Sequence, residues 1–369
     1  GIDIGGTKAH AVLIDMEKIE IVGEEKAPSS DHGPTLIRIL TNLVHKLKDQ
    51  TNQKIEAIGL GIAGLSKESG FVHYSPNLPR LIRFPVGSKL EEALGIPVVA
   101  TNDATAGTVA EWELGAGKNN ENFAMITLGT GIGTGFVLDG HLLKGSNGFA
   151  GESGHMVIDI NGPKHISGQK GPWEYFASGT ALSRLSKEAA LTGEFPWGIK
   201  EAGSAEKVTS HHLAAGVKQR EPDSLRILNE FTRGVSQGLA NLVLILDIDL
   251  IIIGGGLCAL GEPLRLKIEF WLHEILLGAQ HRPNIKVELA ELGEVAGALG
   301  AALALWHKEL NKERAISKTD DMQGSYLGPK FTQDEVEKKL EKLGAVFENF
   351  SQEKMIKITA KSLSEEKAI

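Results

Sequence analysis

Apolar positions in this chain fall into short runs of strand length and longer stretches with helical spacing. Gly1 to Ile4 reads as the end of a buried strand, Gly5-Gly6-Thr7-Lys8 as a glycine turn, and Ala9 to Asp15 as the strand that returns from it. The same grammar recurs downstream: Phe123 to Leu128 is an apolar strand, Gly129-Thr130-Gly131-Ile132-Gly133 a turn, and Thr134 to Leu138 a returning strand that stops at Asp139-Gly140. Two such hairpins, about one domain length apart, predict a duplicated architecture in which each half presents one glycine turn to a substrate lying between them. Further strands at Ile55 to Gly61, Val98 to Ala100 and Leu250 to Ile253 alternate with helical stretches at Ala104 to Leu114, Ser224 to Leu246, Pro263 to Leu277 and Ala296 to Leu310. That alternation is an α/β pattern. From about Ala315 onward the chain turns charged and loses strand signals, with one amphipathic helix expected over Asp334 to Phe347.

Composition narrows the function classes. With 369 residues, 41% of them apolar, the chain can bury more than one core. A formal net charge of −8 argues against a nucleic-acid footprint, which needs a clustered basic face. The single cysteine, Cys258, excludes an internal disulfide framework and suits a reducing compartment, so the cytoplasm is expected. The longest apolar stretch, Leu239 to Ile253, is interrupted by Asn241, Asp247 and Asp249 and is not expected to span a membrane. No secretory leader is legible, and because Gly1 already sits within strand grammar the chain is expected to lack that strand's start.

Glycine-rich turns bind phosphate because residues without Cβ let several backbone N–H groups converge and let a ligand reach the main chain. After Gly129 to Gly133 comes a strand rather than a helix, and no Gly-x-x-x-x-Gly-Lys-Ser/Thr occurs, which disfavours the dinucleotide-binding and P-loop readings. Either hairpin alone reads as well as a plain structural turn; their pairing favours phosphate. Asp3, inside an apolar strand, needs a partner: Mg²⁺ on a bound phosphate, or a neighbouring turn that it caps. Gly254-Gly255-Gly256 closes an apolar strand and is placed on the adenosine side. Asn102-Asp103 lies between a strand end and a helix start, where Asp103 is either the helix N-cap or the base that takes a proton from an alcohol during phosphoryl transfer. Glu152, His155 and Glu174, in loops rich in Gly and Pro, suit sugar hydroxyls or are plain surface polarity.

Taken in order, Asp3-Ile-Gly-Gly-Thr7, Ser75-Pro-Asn-Leu78, Asn102-Asp103-Ala104, Leu128-Gly-Thr-Gly-Ile-Gly133, Ala150-Gly-Glu-Ser-Gly-His155, Glu174 with Ala177-Ser-Gly179, and Ile253-Gly-Gly-Gly256 resemble the ROK family (repressors, open reading frames and kinases), and within it the bacterial glucokinases, from Gly1 to about Leu310. The resemblance implies a two-domain actin-like (ribonuclease H-like) ATPase fold with its active site in the interdomain cleft. It implies a lobe over 1–118 completed by a helix over 296–312, a second lobe over 119–295, and a charged appendage over 313–369. It implies ATP-dependent phosphorylation of a hexose, glucose first, within carbohydrate metabolism and glycolysis, with Asp103 as general base. Asn77, Asn102, Asp103, Glu152, His155 and Glu174 would bind the sugar. Asp3, Gly5, Gly6, Thr7, Lys8, Gly129, Thr130, Gly131, Gly254, Gly255 and Gly256 would serve ATP and its Mg²⁺. A homodimer is implied, with neither nucleic acid nor membrane as partner. Kinases for fructose, N-acetylmannosamine or N-acetylglucosamine and a sugar-responsive regulator remain the alternatives.

The chain departs from the family in one loop. Where many members carry Cys-x-Cys-Gly-x-x-Gly-Cys, this sequence has His165-Ile-Ser167-Gly168-Gln-Lys-Gly171-Pro172, without a thiolate. His155 and His165 alone are two donors where a closed zinc site needs four, so zinc is not expected. The last 45 or so residues resemble a short piece of the NodU-type carbamoyltransferase C-terminal region, with no second activity expected.

Overall fold

The computed structural model describes residues 1–305. The charged stretch over 313–369, its expected amphipathic helix and its likeness to a carbamoyltransferase lie outside the described residues.

The chain opens with β1 (Ile2–Ile4), β2 (Lys8–Asp15), β3 (Glu20–Pro28), helix α1 (Gly33–Thr51) and β4 (Ile58–Ile62). Three short strands, β5 (Leu65–Ser66), β6 (Phe71–Tyr74) and β7 (Phe84–Pro85), make a small sheet of their own. Helix α2 (Val86–Leu94), β8 (Val98–Asn102) and α3 (Asp103–Leu114) follow. The five longer strands pair in the order β3-β2-β1-β4-β8, with β1 antiparallel to β2 and parallel to β4. One face of this sheet is covered by α1, whose Leu36, Leu40, Leu43, Val44 and Leu47 recur at helical spacing and are buried.

The second sheet repeats the scheme. It contains β9 (Phe123–Leu128), β10 (Ile132–Leu138), β11 (His141–Leu142), β12 (Leu250–Gly254) and β13 (Lys286–Leu289), ordered β11-β10-β9-β12-β13. Again the glycine hairpin is antiparallel and the next strand, β12, pairs parallel with its first member. Between β11 and β12 run α4 (Trp173–Ala177), α5 (Gly179–Leu191), α6 (Pro196–Ala202), α7 (Ser210–Lys218) and α8 (Pro222–Leu246), and α9 (Glu262–Ile275) precedes β13. Every residue of β12 is buried, as expected for a central strand covered on both faces. Trp173, fully buried, donates its indole N–H to the Gly234 carbonyl (3.1 Å) and lies against Gly238, where a side chain would occupy the ring's place.

Residues 296–305 form a helix that returns to the first sheet. It approaches the main chain unusually closely. A Cβ on Gly1 or Gly59 would strike the carbonyls of Ala298 and Ala301, and one on Gly300 would strike the carbonyl of Ala106 in α3. No helix among the described residues is long and apolar enough to cross a membrane.

Because Gly300 leaves no room for a methyl group, Gly300→Ala should destabilise the protein by about 1–3 kcal/mol despite alanine's better helix propensity. Urea denaturation measures this; an unchanged or raised midpoint would show that the helix does not seat against α3.

Candidate active site

Both glycine turns are pinned by their own surroundings. In the first, the Gly5 amide donates to the Lys8 carbonyl (3.0 Å), and the exposed Gly6 packs against Asn77, where a Cβ would stand 2.9 Å from the Asn77 carbonyl oxygen. In the second, the Gly129 carbonyl accepts the Gly179 amide (2.7 Å), the Thr130 carbonyl accepts the Thr180 hydroxyl (2.8 Å), and the Ile132 amide donates to Glu174 Oε2 (2.7 Å). Glu174 lies directly over Gly131, a place only glycine leaves open. Gly255 (φ 84°) sits against the backbone of Leu128, so the third glycine cluster meets the second turn at the carboxyl ends of β9 and β12.

The structure assigns the N-cap of α3 to Asn102, correcting the capping alternative for Asp103. Asn102 Oδ1 accepts the amides of Ala104 (2.9 Å) and Thr105 (3.2 Å), while Asp103 begins the helix and accepts the Ala104 amide on Oδ1 (2.9 Å). Asp103 is half-buried, and burial pushes its carboxyl above the usual carboxylate range, with the backbone bonds opposing. Ala104 packs on Gly133 of the second hairpin, where a Cβ would stand 2.8 Å from the Ala104 methyl. The start of α3 thus lies beside the second sheet's turn. Asp3 is pushed up to about 7, first by burial, then by the charge of Asp103, with Lys8 opposing. The carboxyl of Asp3 rests on Gly297 of the returning helix.

On the other side stand Glu152, His155, His165 and Glu174. Glu152 keeps 40% of its side chain exposed, yet surrounding protein pushes its carboxyl up; His155 opposes, and Asp103 and Glu174 add to the rise. His155 Nε2 is 3.9 Å from Glu152 Oε2, and its Nδ1 is buried without a hydrogen-bond partner among the described residues. His165 Nε2 lies 3.5 Å from Glu174 Oε1. The family zinc can be tested on this geometry. His155, His165 and Glu174 bring one ligand atom each within 4.8 Å of one another, Glu174 being a donor the sequence did not suggest. Three donors, one already bonded to the Ile132 amide, fall short of a closed tetrahedral set. Of the three thiolate positions one holds His165 and the others Ser167 and Pro172, so the residues present do not rebuild the family's closed thiolate site.

A strap over 143–151 crosses to the first sheet's side. Lys144 Nζ is 2.9 Å from Glu68 Oε1, and the rings of Phe149 and His73 meet edge to face at 5.7 Å. Asn102 also reaches the Gly64 carbonyl with its amide (3.4 Å). The contributions of Ser178, which caps α5 through the Ala181 amide (3.2 Å), and of Thr180 were not legible in the sequence beyond a Ser-Gly-Thr run.

The model of the ROK family matches residues 1–309. A glucokinase of Streptomyces coelicolor is 33% identical over 310 residues, covering 82% of this chain and 95% of that protein. The crystal structure of a ROK family glucokinase from Streptomyces griseus, in complex with glucose and AMPPNP, superposes with a TM-score of 0.74 at 32% identity, covering 82% of this chain and 97% of that one. A xylose repressor of Bacillus subtilis is 34% identical over 197 residues, 52% of this chain and 51% of the repressor.

Two outcomes are expected. Asp3 binds its proton more tightly folded (about 7) than unfolded (3.8), so the native state loses stability as pH rises between those values. Asp3→Asn should therefore be the more stable protein at pH 8, on the order of 2–4 kcal/mol, with the gap closing near pH 4; equal melting temperatures at both pH values would contradict the buried, repelled carboxyl. Prolonged dialysis against EDTA should leave the melting temperature unchanged, whereas a drop of several degrees, restored by zinc, would reveal a metal on the His155, His165 and Glu174 donors.

Proposed function

The chain belongs to the ROK family, and on that premise we propose that it transfers the γ-phosphoryl group of ATP to a hexose hydroxyl, converting glucose to glucose 6-phosphate. One observation carries this reading: Asp103 opens α3 beside the second glycine turn, half-buried with a raised carboxyl pKa, while Asn102 supplies the helix cap.

In the proposed reaction, a sugar oxygen attacks the γ-phosphorus as the bond to the bridging oxygen of ADP breaks. The hydroxyl proton passes to the Asp103 carboxylate. Asn77, Asn102, Glu152 and His155 hold neighbouring hydroxyls. The orphaned Nδ1 of His155 and the exposed part of Glu152 suit that task. Glu174 serves the sugar while keeping the second turn in shape through the Ile132 amide. Gly5, Gly6, Thr7 and Lys8 meet the phosphates from one side, and Gly129, Thr130 and Gly131 meet them from the other. Gly254, Gly255 and Gly256 border the adenosine. Magnesium carried with the nucleotide would be held near Asp3 and would neutralise charge on the β- and γ-phosphates. The bodies that close on the sugar are the lobe over 1–118, completed by 296–312, and the lobe over 119–295. A homodimer working in the cytoplasm at the entry to glycolysis completes the proposal.

A sugar-responsive regulator is the second reading, supported by the likeness to the xylose repressor over about half the chain. Turnover separates the two. In a coupled ATP assay, glucose should outpace fructose, N-acetylmannosamine and N-acetylglucosamine, and no turnover with any sugar would favour the regulator. Asp103→Asn should lower kcat by about 10²–10⁴-fold while calorimetry still detects glucose binding; a variant as fast as the parent would take Asp103 out of the mechanism.

A further inference from the structure

Two segments carry the chain between the sheets. Residues 115–122 lead from α3 out to β9, and residues 290–295 lead from β13 back to the helix over 296–305. Glu111, in the last turn of α3, stands between them with no exposed surface. Its carboxylate accepts the Ala116 amide (3.0 Å) from the outgoing segment and the amides of Glu291 (3.1 Å) and Leu292 (2.9 Å) from the returning one. Its carbonyl oxygen accepts two more from the outgoing segment, Gly115 (3.1 Å) and Gly117 (2.9 Å). Gly115 leaves open the space the carboxylate fills.

This is an expensive place for an acid. The last turn of a helix presents carbonyl oxygens and the negative end of the dipole, and a buried carboxylate is tolerated only when its lone pairs are bonded. Three amides from two segments meet that requirement with charge-assisted bonds. They also tie together elements that lead to the site. Asp103 begins the helix whose last turn holds Glu111, eight residues or about 12 Å further along its axis. The returning segment runs into the helix whose Gly297 underlies the Asp3 carboxyl, where a Cβ would stand 2.8 Å from Cγ.

We propose that Glu111 is a positioning residue for phosphoryl transfer, pinning the two crossing segments together so that Asp103 keeps its placement beside the second glycine turn, and Asp3 its placement on Gly297, when the halves close. The proposal rests on the phosphotransferase reading above. Glu111 touches neither substrate nor phosphate; it acts through α3 and the returning segment.

The test is Glu111→Gln, which preserves shape but turns one acceptor oxygen into a donor facing backbone N–H groups. Misplacement of the reacting groups should lower kcat by about 10–100-fold, while KM for glucose and for ATP moves by less than about threefold, because the binding groups remain in place. Hydrogen–deuterium exchange at the amides of 116, 291 and 292 should quicken by about tenfold or more. A variant with the parent's kcat and exchange rates overturns the proposal, as does a loss confined to KM. Should the variant not fold, the parent protein decides: those three amides must be protected as strongly as strand amides, with and without glucose plus a non-hydrolysable ATP analogue, and loop-like exchange there refutes the pin. If the parent phosphorylates no sugar, the phosphotransferase reading fails on its own, and the exchange rates of parent and variant still decide whether Glu111 holds the crossing.

Discussion

Main chain comes close to main chain where α3 and the helix over 296–305 meet their neighbours at glycine, and the site depends on that closeness. Gly133 lets the start of α3 lie on the second hairpin, Gly300 lets the returning helix lie on the middle of α3, and Gly1 and Gly59 let the same helix lie on the first sheet. Each contact is between backbones or methyl groups, so no long side chain sets the spacing and little can relax. Asp103 and Asp3 inherit their positions from this frame. A bulkier residue at any of these glycines shifts a strut, and the carboxylates shift with it.

Against that rigid frame like charges are gathered. Asp3, Asp103, Glu152 and Glu174 repel one another across a small region, and desolvation raises three of them. Lys8 opposes the rise at Asp3 and His155 at Glu152. Hydroxyl donors and a cation accompanying phosphate would offset the repulsion within such a set. The zinc loop of the family, rebuilt here without thiolates, sets His155 beside Glu152 and His165 beside Glu174.

Much of this was legible before any coordinates. The two hairpins, their order and the strands that follow could be read from apolar runs broken by glycine. The Asn102-Asp103 pair could be placed at a strand end and helix start. What could not be read were side chains that serve backbone amides far away in sequence. Glu174 reaches Ile132 across 42 positions and Glu111 reaches Leu292 across 181. A carboxylate bonded to a distant N–H leaves no periodicity and no spacing motif, since every residue but proline offers the same donor. The cap of α3 stayed open between Asp103's two roles for a nearer reason, because Asn and Asp are equally good caps and only geometry separates adjacent ones. The small sheet of β5, β6 and β7 was not legible because strands of 2 to 4 residues carry too little pattern.

The strap that joins the halves through Lys144–Glu68 and Phe149–His73 is slight: both charged side chains are about half exposed, at 51% and 49%. Exposed ion pairs contribute about 0–1 kcal/mol and weaken in salt. Under the proposed closure of the lobes, holding them together would therefore fall mainly to the ligand between them. Part of that ligand's intrinsic affinity would then be spent on shifting the population towards the shut form, and its apparent dissociation constant would understate the strength of its contacts.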